Sequence, residues 1–193
     1  MARRSDHSRD ELKTLIINEG HRQICEAGYG NFSARKLAKR IGYTVGTIYH
    51  VFGSLDHLML AINGRTLDKW HHYLALKLEG AETDRLQTAV EAYFEFAIVN
   101  RHGWLALMDF RLPEDQQIPD GYVAKVAAIM ELVCREVAEA LPDNRKSEAV
   151  GLTRSLLATV HGHCFFTVNG TFDALGEDNP LKAALARVID ATR

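Results

Sequence analysis

Apolar residues recur three and four positions apart along almost the whole chain, the spacing that puts them on one face of an α-helix. No stretch of alternating β-branched residues bounded by hairpin turns interrupts this pattern. The chain reads as all-α, with about nine helices. Ser8-Arg9-Asp10-Glu11 has the form of a capping box and opens a first helix that carries Leu12, Ile16 and Ile24 inward as far as Gly28. Ser33 begins a short helix through Arg40, Thr44 another through about His50, and Ser54 a long one bearing Leu58, Met59, Ile62 and Trp70. Gly42 and Gly53 mark the breaks between them. Beyond Gly80, Thr83 is expected to cap a helix with Leu86, Val90, Tyr93, Phe94, Ala97 and Ile98, and a short one follows at 102–110. Residues 111–121 read as a loop, Tyr122 to Leu141 as a helix stopped by Pro142, and 143–169 as one long helix. TFDALGEDN reads as a loop before a last helix from Pro180 that carries Leu181, Leu185, Val188 and Ile189.

One stretch departs from ordinary amphipathic composition. TVGTIYHVFGSLDHL, residues 44–58, has helical spacing but sets Thr44, Gly46, Thr47, Tyr49 and His50 where a solvent face normally carries Lys and Glu. Ala38 and Gly42 are small enough for a close corner, while Leu37, Ile41, Tyr43, Ile48 and Val51 are spaced to pack two short helices on the first one. This is the arrangement of a helix-turn-helix, whose second helix presents short polar side chains to base edges and phosphates in the major groove. The same pattern is also compatible with an ordinary corner in a helical bundle.

Charge favours the first of these. The net charge of the 193-residue chain is only −2, but residues 1–57 hold nine Lys/Arg against six acids, a net of +3, and the remainder carries −5. A basic front on an acidic body suits a polyanion-binding end joined to a different module. At 47% hydrophobic content the chain can bury a proper core. No uninterrupted apolar run approaches the ~18 residues a spanning helix needs, and MARRSDHSRDELK lacks the apolar stretch of a secretory signal, so a cytoplasmic protein without membrane contact is expected. Cys25, Cys134 and Cys164 are an odd number at no metal or disulfide spacing and read as buried structural thiols, with a redox sensor as the other reading.

GYGNFSARKLAKRIGYTVGTIYHVFGSLDHL, preceded by a helix of about twenty residues, resembles the DNA-binding domain of the TetR family of transcriptional regulators over roughly residues 8–62. The resemblance rests on Gly28-Tyr29, Ala38 and Gly42, the Gly46-Thr47-Ile48-Tyr49-His50 core, Phe52 and Ser54. It implies a homodimer whose recognition helices read a palindromic operator on double-stranded DNA, with a small-molecule effector bound by the C-terminal helices loosening that grip. The expected domains are 1–53 for DNA and 54–193 for ligand and dimerisation, the helix at about 54–78 connecting them. The candidate DNA-binding residues are Ser33, Arg35, Tyr43, Thr44, Val45, Gly46, Thr47, Tyr49, His50, Ser54 and His57. Val45, Val51 and Leu55 stand where the family commonly has Lys, Tyr or His, and Lys, so two usual phosphate contacts are missing. Arg3, Arg4 and Arg9 could compensate as an arm along the backbone, and His57 could donate in place of the second lysine.

The rest of the chain matches the family only loosely and is read residue by residue. Phe94, Trp104, Met108, Tyr122, Met130 and Phe165 are candidates to line an effector pocket, with His102, Arg111 or His161 supplying polar contact. A plain core is the alternative for each. Such a lining favours a flat or elongated, largely apolar molecule. Gly151, Ser155, Leu156, Thr159, Gly162, Leu185, Val188 and Ile189 are the candidate dimer interface, because the apolar residues of the last two long helices cover too much surface for one core. His161 and Cys164 share a helical face but lack a matching pair, so no metal is expected, and no cofactor. The expected function is a ligand-released repressor without catalytic activity. The rival readings are a helical-bundle enzyme or small-molecule carrier, for which no phosphate loop, paired Glu-x-x-His set or nucleophile elbow is present, and an activator of the same family.

Overall fold

The computed structural model describes residues 7–193, so Arg3 and Arg4 lie outside the described residues. Ten α-helices and two 3-10 turns make up the described chain, with no strand among them. They divide into two compact units, and the first is not continuous in sequence: residues up to Asp68 join His102–Val123, while Lys69–Arg101 and Ala124–Arg193 form the second. A boundary at residue 53 therefore falls inside the first unit.

In the first unit α1 (Arg9–Ala27) begins with the full capping box, the Ser8 amide donating to Glu11 Oε2 at 2.7 Å and the Glu11 amide to Ser8 Oγ at 3.3 Å. α2 (Ala34–Ile41) and α3 (Val45–Phe52) pack on it, and α4 (Leu55–Glu79) contributes its residues through Asp68. Leu12, Ile16, Ile24, Leu37, Ile48, Leu58, Met59 and Ile62 form one apolar cluster. Gly20 makes the crossing of α1 and α4 possible. A Cβ there would come within 2.5 Å of Ile62 Cδ1, inside a site where Ile62 is 1% exposed. α6 (Arg101–Asp109) completes this core with Ala106, and Phe110 follows it. Asn63, itself buried, donates to the Ala106 carbonyl at 3.2 Å, and His102 Nδ1 lies 2.9 Å from the Cys25 carbonyl near the end of α1.

In the second unit α5 (Arg85–Val99), α8 (Ala149–Val168) and α10 (Pro180–Thr192) pack on one another, with the rest of α4 and α7 (Asp120–Ala140) from residue 124. Glu136 is 4% exposed and receives two 2.8 Å hydrogen bonds from Arg85, which ties α7 to the first turn of α5. The charge on Glu136 is tolerated at that burial because its partner is bidentate.

Three local expectations are corrected. The cap of α5 is Asp84, not Thr83, and Asp84 is left-handed at φ 52° with no side-chain capping bond. Residues 143–148 form a 3-10 turn rather than the start of α8, since DNRKSE has no apolar face to bury; Arg145 instead donates to the carbonyls of Ala191 and Arg193. TFDAL is not loop but a short helix, α9 (Thr171–Leu175), which brings Phe172 edge-on to Phe166 with ring centroids 5.4 Å apart. No single helix among the described residues is long and apolar enough to cross a membrane.

Candidate nucleic-acid interface and effector cavity

The α2–α3 corner is built by local chemistry. The Ser33 hydroxyl accepts the Lys36 amide at 3.3 Å to cap α2, and the Thr44 hydroxyl accepts the Thr47 amide at 3.1 Å to cap α3. Between them Gly42 is left-handed at φ 76°, where a side chain would be strained, and its amide donates to Ala38 and Lys39. Ile48 is the one fully buried residue of α3 and fixes the roll of the helix, leaving Gly46, Tyr49 and His50 exposed alongside Thr44, with Thr47 half-buried. α3 and α4 then meet at 76°.

The other proposed contacts fall into distinct settings. Arg35 is exposed on the first turn of α2. Ser54 caps α4, accepting the His57 amide at 3.1 Å, and its hydroxyl also meets His57 Nδ1 at 3.0 Å. Val45 is packed against the core of the unit, so its side chain serves the fold first. Tyr43 likewise packs its ring on the core, while its hydroxyl lies 2.9 Å from His7 Nδ1. Arg40 is not a free cation. Glu19 and Glu26 take it at 3.1 and 3.2 Å, and both also hold Arg22. Partial burial pushes the Glu19 carboxyl up, but Arg22 and Arg40 outweigh it and hold the group below its ordinary range. His7 and the exposed Lys36 were not among the sequence candidates; nothing local joins His7 to a tyrosine 36 positions away, whereas Lys36 was legible as a cation one residue past Arg35.

The nine candidate pocket residues are divided between the units. His102, Trp104, Met108, Arg111 and Tyr122 belong to the first, and Phe94, Met130, His161 and Phe165 to the second. Arg111 donates to the Met108 and Phe110 carbonyls, closing the end of α6, and Tyr122 packs on the first unit's core, where burial raises its phenol pKa. In the second unit a void of about 40 Å³ is bordered by Trp70, Leu86, Val90, Tyr93, Val137, Leu156, Val160 and Val188. None of the nine candidates borders it. His161 stands one contact behind, its Nδ1 2.7 Å from the Tyr93 hydroxyl, with Phe165 stacked on its ring and Trp70 edge-on to Tyr93 at 5.3 Å. Burial lowers the His161 pKa, favouring the neutral imidazole.

A neutral His161 carries a pH signature. Because its folded pKa lies below the usual value of about 6.5, the contribution to stability is full above that pH and is lost as pH falls toward the folded value. Urea unfolding followed from pH 8 to pH 5 is expected to show this loss, and His161→Gln to remove that component. An unchanged pH profile in the variant would contradict it.

On α8, Leu156 is 7% exposed and on α10 Val188 is 2% exposed, so both face the interior of their own unit. The neighbouring Leu157 is the more exposed of the two adjacent leucines, at 36%. Leu185 and Ile189 border a groove beside α5 and α7. Gly151, Ser155 and Ala158 are exposed on α8, and Thr159 and Gly162 half-exposed. Cys164 is buried and its thiol is pushed up to about 12, which makes it unreactive near neutral pH, whereas Cys25 and Cys134 are half-buried. Among the described residues no three His, Cys, Asp or Glu side chains are grouped to hold a metal.

Residues 16–62 match the model of bacterial regulatory proteins of the tetR family, and residues 86–192 match the tetracyclin repressor-like C-terminal domain. Among solved structures, a tetR-family transcriptional regulator from Streptomyces coelicolor is 16% identical, with a TM-score of 0.65 over 96% of this chain and 80% of that one. RolR in complex with resorcinol is 11% identical at a TM-score of 0.65, covering 95% and 88% of the two chains. BioQ with its double-stranded DNA operator is 13% identical at 0.59, covering 92% and 98%. At such identities these structures show a shared fold. Comparison with curated proteins gives no match. With one family model covering more than half of its length and a second covering the helix-turn-helix, the chain belongs to the TetR family of bacterial transcriptional regulators.

Proposed function

We propose that this protein is a homodimeric repressor that grips a two-fold symmetric DNA operator and is released by a small, largely apolar effector, without catalysing a reaction. The observation that carries this reading is the outer face of α3, where Thr44, Gly46, Tyr49 and His50 are exposed over a helix anchored by Ile48. Gly46 fits the same use. A Cβ there would meet only Thr44 Oγ1, at 3.6 Å, so nothing inside the protomer demands a residue that costs a helix about 1 kcal/mol relative to Ala. An external backbone approaching closely would. BioQ is crystallised with its operator and RolR with resorcinol, which supports both kinds of partner for a chain of this fold. A DNA-binding role places the protein's work in the cytoplasm.

Dimerisation is supported by the outward side of α8. Val150 is 57% exposed and Leu157 36%, and a Cβ at Gly151 or Gly162 would meet nothing within 4 Å, so a second copy can approach closely. The effector would enlarge the void beside Trp70 and Tyr93. About 40 Å³ is far below the ~300 Å³ of an ordinary ligand site, so binding must move side chains, and α4 carries Trp70 on the same helix as Leu58, Met59 and Ile62. That coupling lets the effector select a DNA-incompetent arrangement. A tenfold loss of operator affinity needs a differential of about 1.4 kcal/mol.

The test is to incubate the protein with fragmented genomic DNA and sequence what is retained. A two-fold symmetric motif is expected, and retention with no sequence preference would end the proposal. Phosphate anchoring offers a second measurement. Leu55 is 42% exposed directly after the Ser54 cap. Leu55→Lys is expected to add one phosphate contact per protomer, steepening the slope of log K against log salt by about 1.8 for a dimer. Titrations of operator binding between low and moderate salt check this, and an unchanged slope would show that residue 55 does not face the backbone.

A further inference from the structure

Fixed cations are scarce around the recognition helix. α3 itself carries no Lys or Arg, Val45 and Leu55 stand where the family commonly has Lys, and Glu19 and Glu26 hold Arg40. A titratable pair stands at the corner instead. His7 and Tyr43 each come one residue before the cap of a helix, Ser8 for α1 and Thr44 for α3, and their contact joins the starts of the two helices across 36 positions of sequence. The Tyr43 ring is packed on the core of the unit, its hydroxyl lies 2.9 Å from His7 Nδ1, and the two rings are tilted at 54° with centroids 6.1 Å apart. His7 is exposed, as is Thr44 beside Tyr43. Charged groups of both signs surround the pair. Arg9, Asp10, Glu11 and Lys13 lie in the first turns of α1, Lys39 and Arg40 end α2, and α3 adds only Tyr49 and His50 as titratable groups. The Ser8 amide and hydroxyl, and then His7, hold the Glu11 carboxyl below its ordinary range.

We infer that His7 and Tyr43 form a proton-dependent clamp on a backbone phosphate of DNA, so that operator affinity rises on acidification. The inference rests on the reading of α3 as the recognition helix. Beyond their mutual hydrogen bond the pair has one donor when His7 is neutral, whichever ring nitrogen holds the hydrogen. With hydrogen on Nε2, the Tyr43 hydroxyl donates to Nδ1 and the Nε2–H remains; with hydrogen on Nδ1, that N–H donates to the tyrosine oxygen and the hydroxyl hydrogen remains. A proton taken from solvent makes both nitrogens donors. Nδ1–H then donates to Tyr43, the hydroxyl hydrogen is released, and Nε2–H carries the added charge, so a phosphate oxygen meets two donors and a cation instead of one neutral donor. Histidine is the side chain that ordinarily changes charge between pH 5 and 8. Because the protonated form grips DNA better, this contribution is full at low pH and is lost as pH rises.

The experiment titrates a recovered operator with the intact protein by fluorescence anisotropy at pH 6, 7 and 8 and at several salt concentrations, with thermal melts to show that each variant is folded. His50 and His57 bring acid-linked contributions of their own, so the comparison between wild type and His7→Gln isolates the clamp. The ratio of the two affinities is expected to grow about tenfold from pH 8 to pH 6, with two clamps in each dimer. At pH 6 the slope of log K against log salt should be steeper in the wild type by about 1.8, one phosphate per protomer. His7→Lys fixes the charge and should flatten the profile. Tyr43→Phe keeps the charge and the packed ring but removes one donor, so the salt slope should persist while the gain on acidification shrinks. A backbone contact predicts that His7→Gln weakens the operator and its single-mismatch variants by the same factor. Absence of operator binding at every pH would overturn the recognition-helix reading and the clamp with it. Sequence-specific binding with parallel pH profiles for wild type and His7→Gln, a His7→Lys profile as steep as the wild type, or a Tyr43→Phe variant that matches the wild type would overturn the clamp alone. A changed ranking of sequences in His7→Gln would overturn phosphate as its partner.

Discussion

Tyr49→Ala combined with Thr47→Ala is expected to lower affinity for the operator by about two to three orders of magnitude while leaving thermal stability within a degree or two. A side chain that reads a base edge well contributes about 1–3 kcal/mol of discrimination, and a symmetric dimer presents each residue twice. Tyr49 is 39% exposed, so its removal opens no cavity. Thr47 shares a 2.9 Å hydroxyl contact with Thr44, but the Thr47 amide still has the Thr44 cap after the substitution. Thr44→Ala would be a poorer probe, because it removes the cap and the exposed hydroxyl together, at about 1 kcal/mol of stability. Anisotropy titration against a recovered operator, paired with a thermal melt, checks the result. Unchanged operator affinity in the double variant would mean that α3 does not read bases.

The other large effect is expected at the proposed seam between protomers. Ala158 is exposed on α8 between Gly151 and Gly162, and Arg is nearly as good a helix former as Ala, so Ala158→Arg should leave each protomer folded. Two bulky cations facing each other across a close symmetric contact should dissociate the dimer at micromolar concentration. Operator affinity should then fall by about 10²–10⁴, because the second half-site is no longer captured intramolecularly. Sedimentation and DNA titration on the same sample must move together; a dimer that survives places the contact elsewhere. Leu156→Asp would not answer this question, since at 7% exposure the new carboxylate would be buried in the protomer's own core.

What the sequence made legible follows the range of the interactions. The caps at Ser8, Ser33, Thr44 and Ser54 were readable because each is a bond between residues three apart, and all four receive the expected amide. The recognition helix was readable because a small residue, a glycine corner and one buried Ile fix its roll. Roll was undetermined on α8, where apolar residues surround the helix and Leu156 and Leu157 are equivalent in any local pattern. The candidate pocket mixed residues of both units because 102–123 returns to the first unit, a long-range pairing that leaves no periodic trace. Tyr93 and Trp70 border the void in place of Phe94, because a shift of one residue turns a side chain about 100° around the helix.

That return of 102–123 bears on how such a regulator can be recombined. Ala106 and Phe110 belong to the same apolar cluster as Leu58, Met59 and Ile62, with Leu112 and Tyr122 packed against it. A reading head cut from the gene as a single N-terminal stretch would therefore leave part of its core behind and expose apolar residues of α4. Grafting this head onto another sensor, or another head onto this one, means transplanting two separate stretches of coding sequence. The unit of exchange, in evolution or in the design of chimeric switches, is a split module stitched around the sensor's own helices.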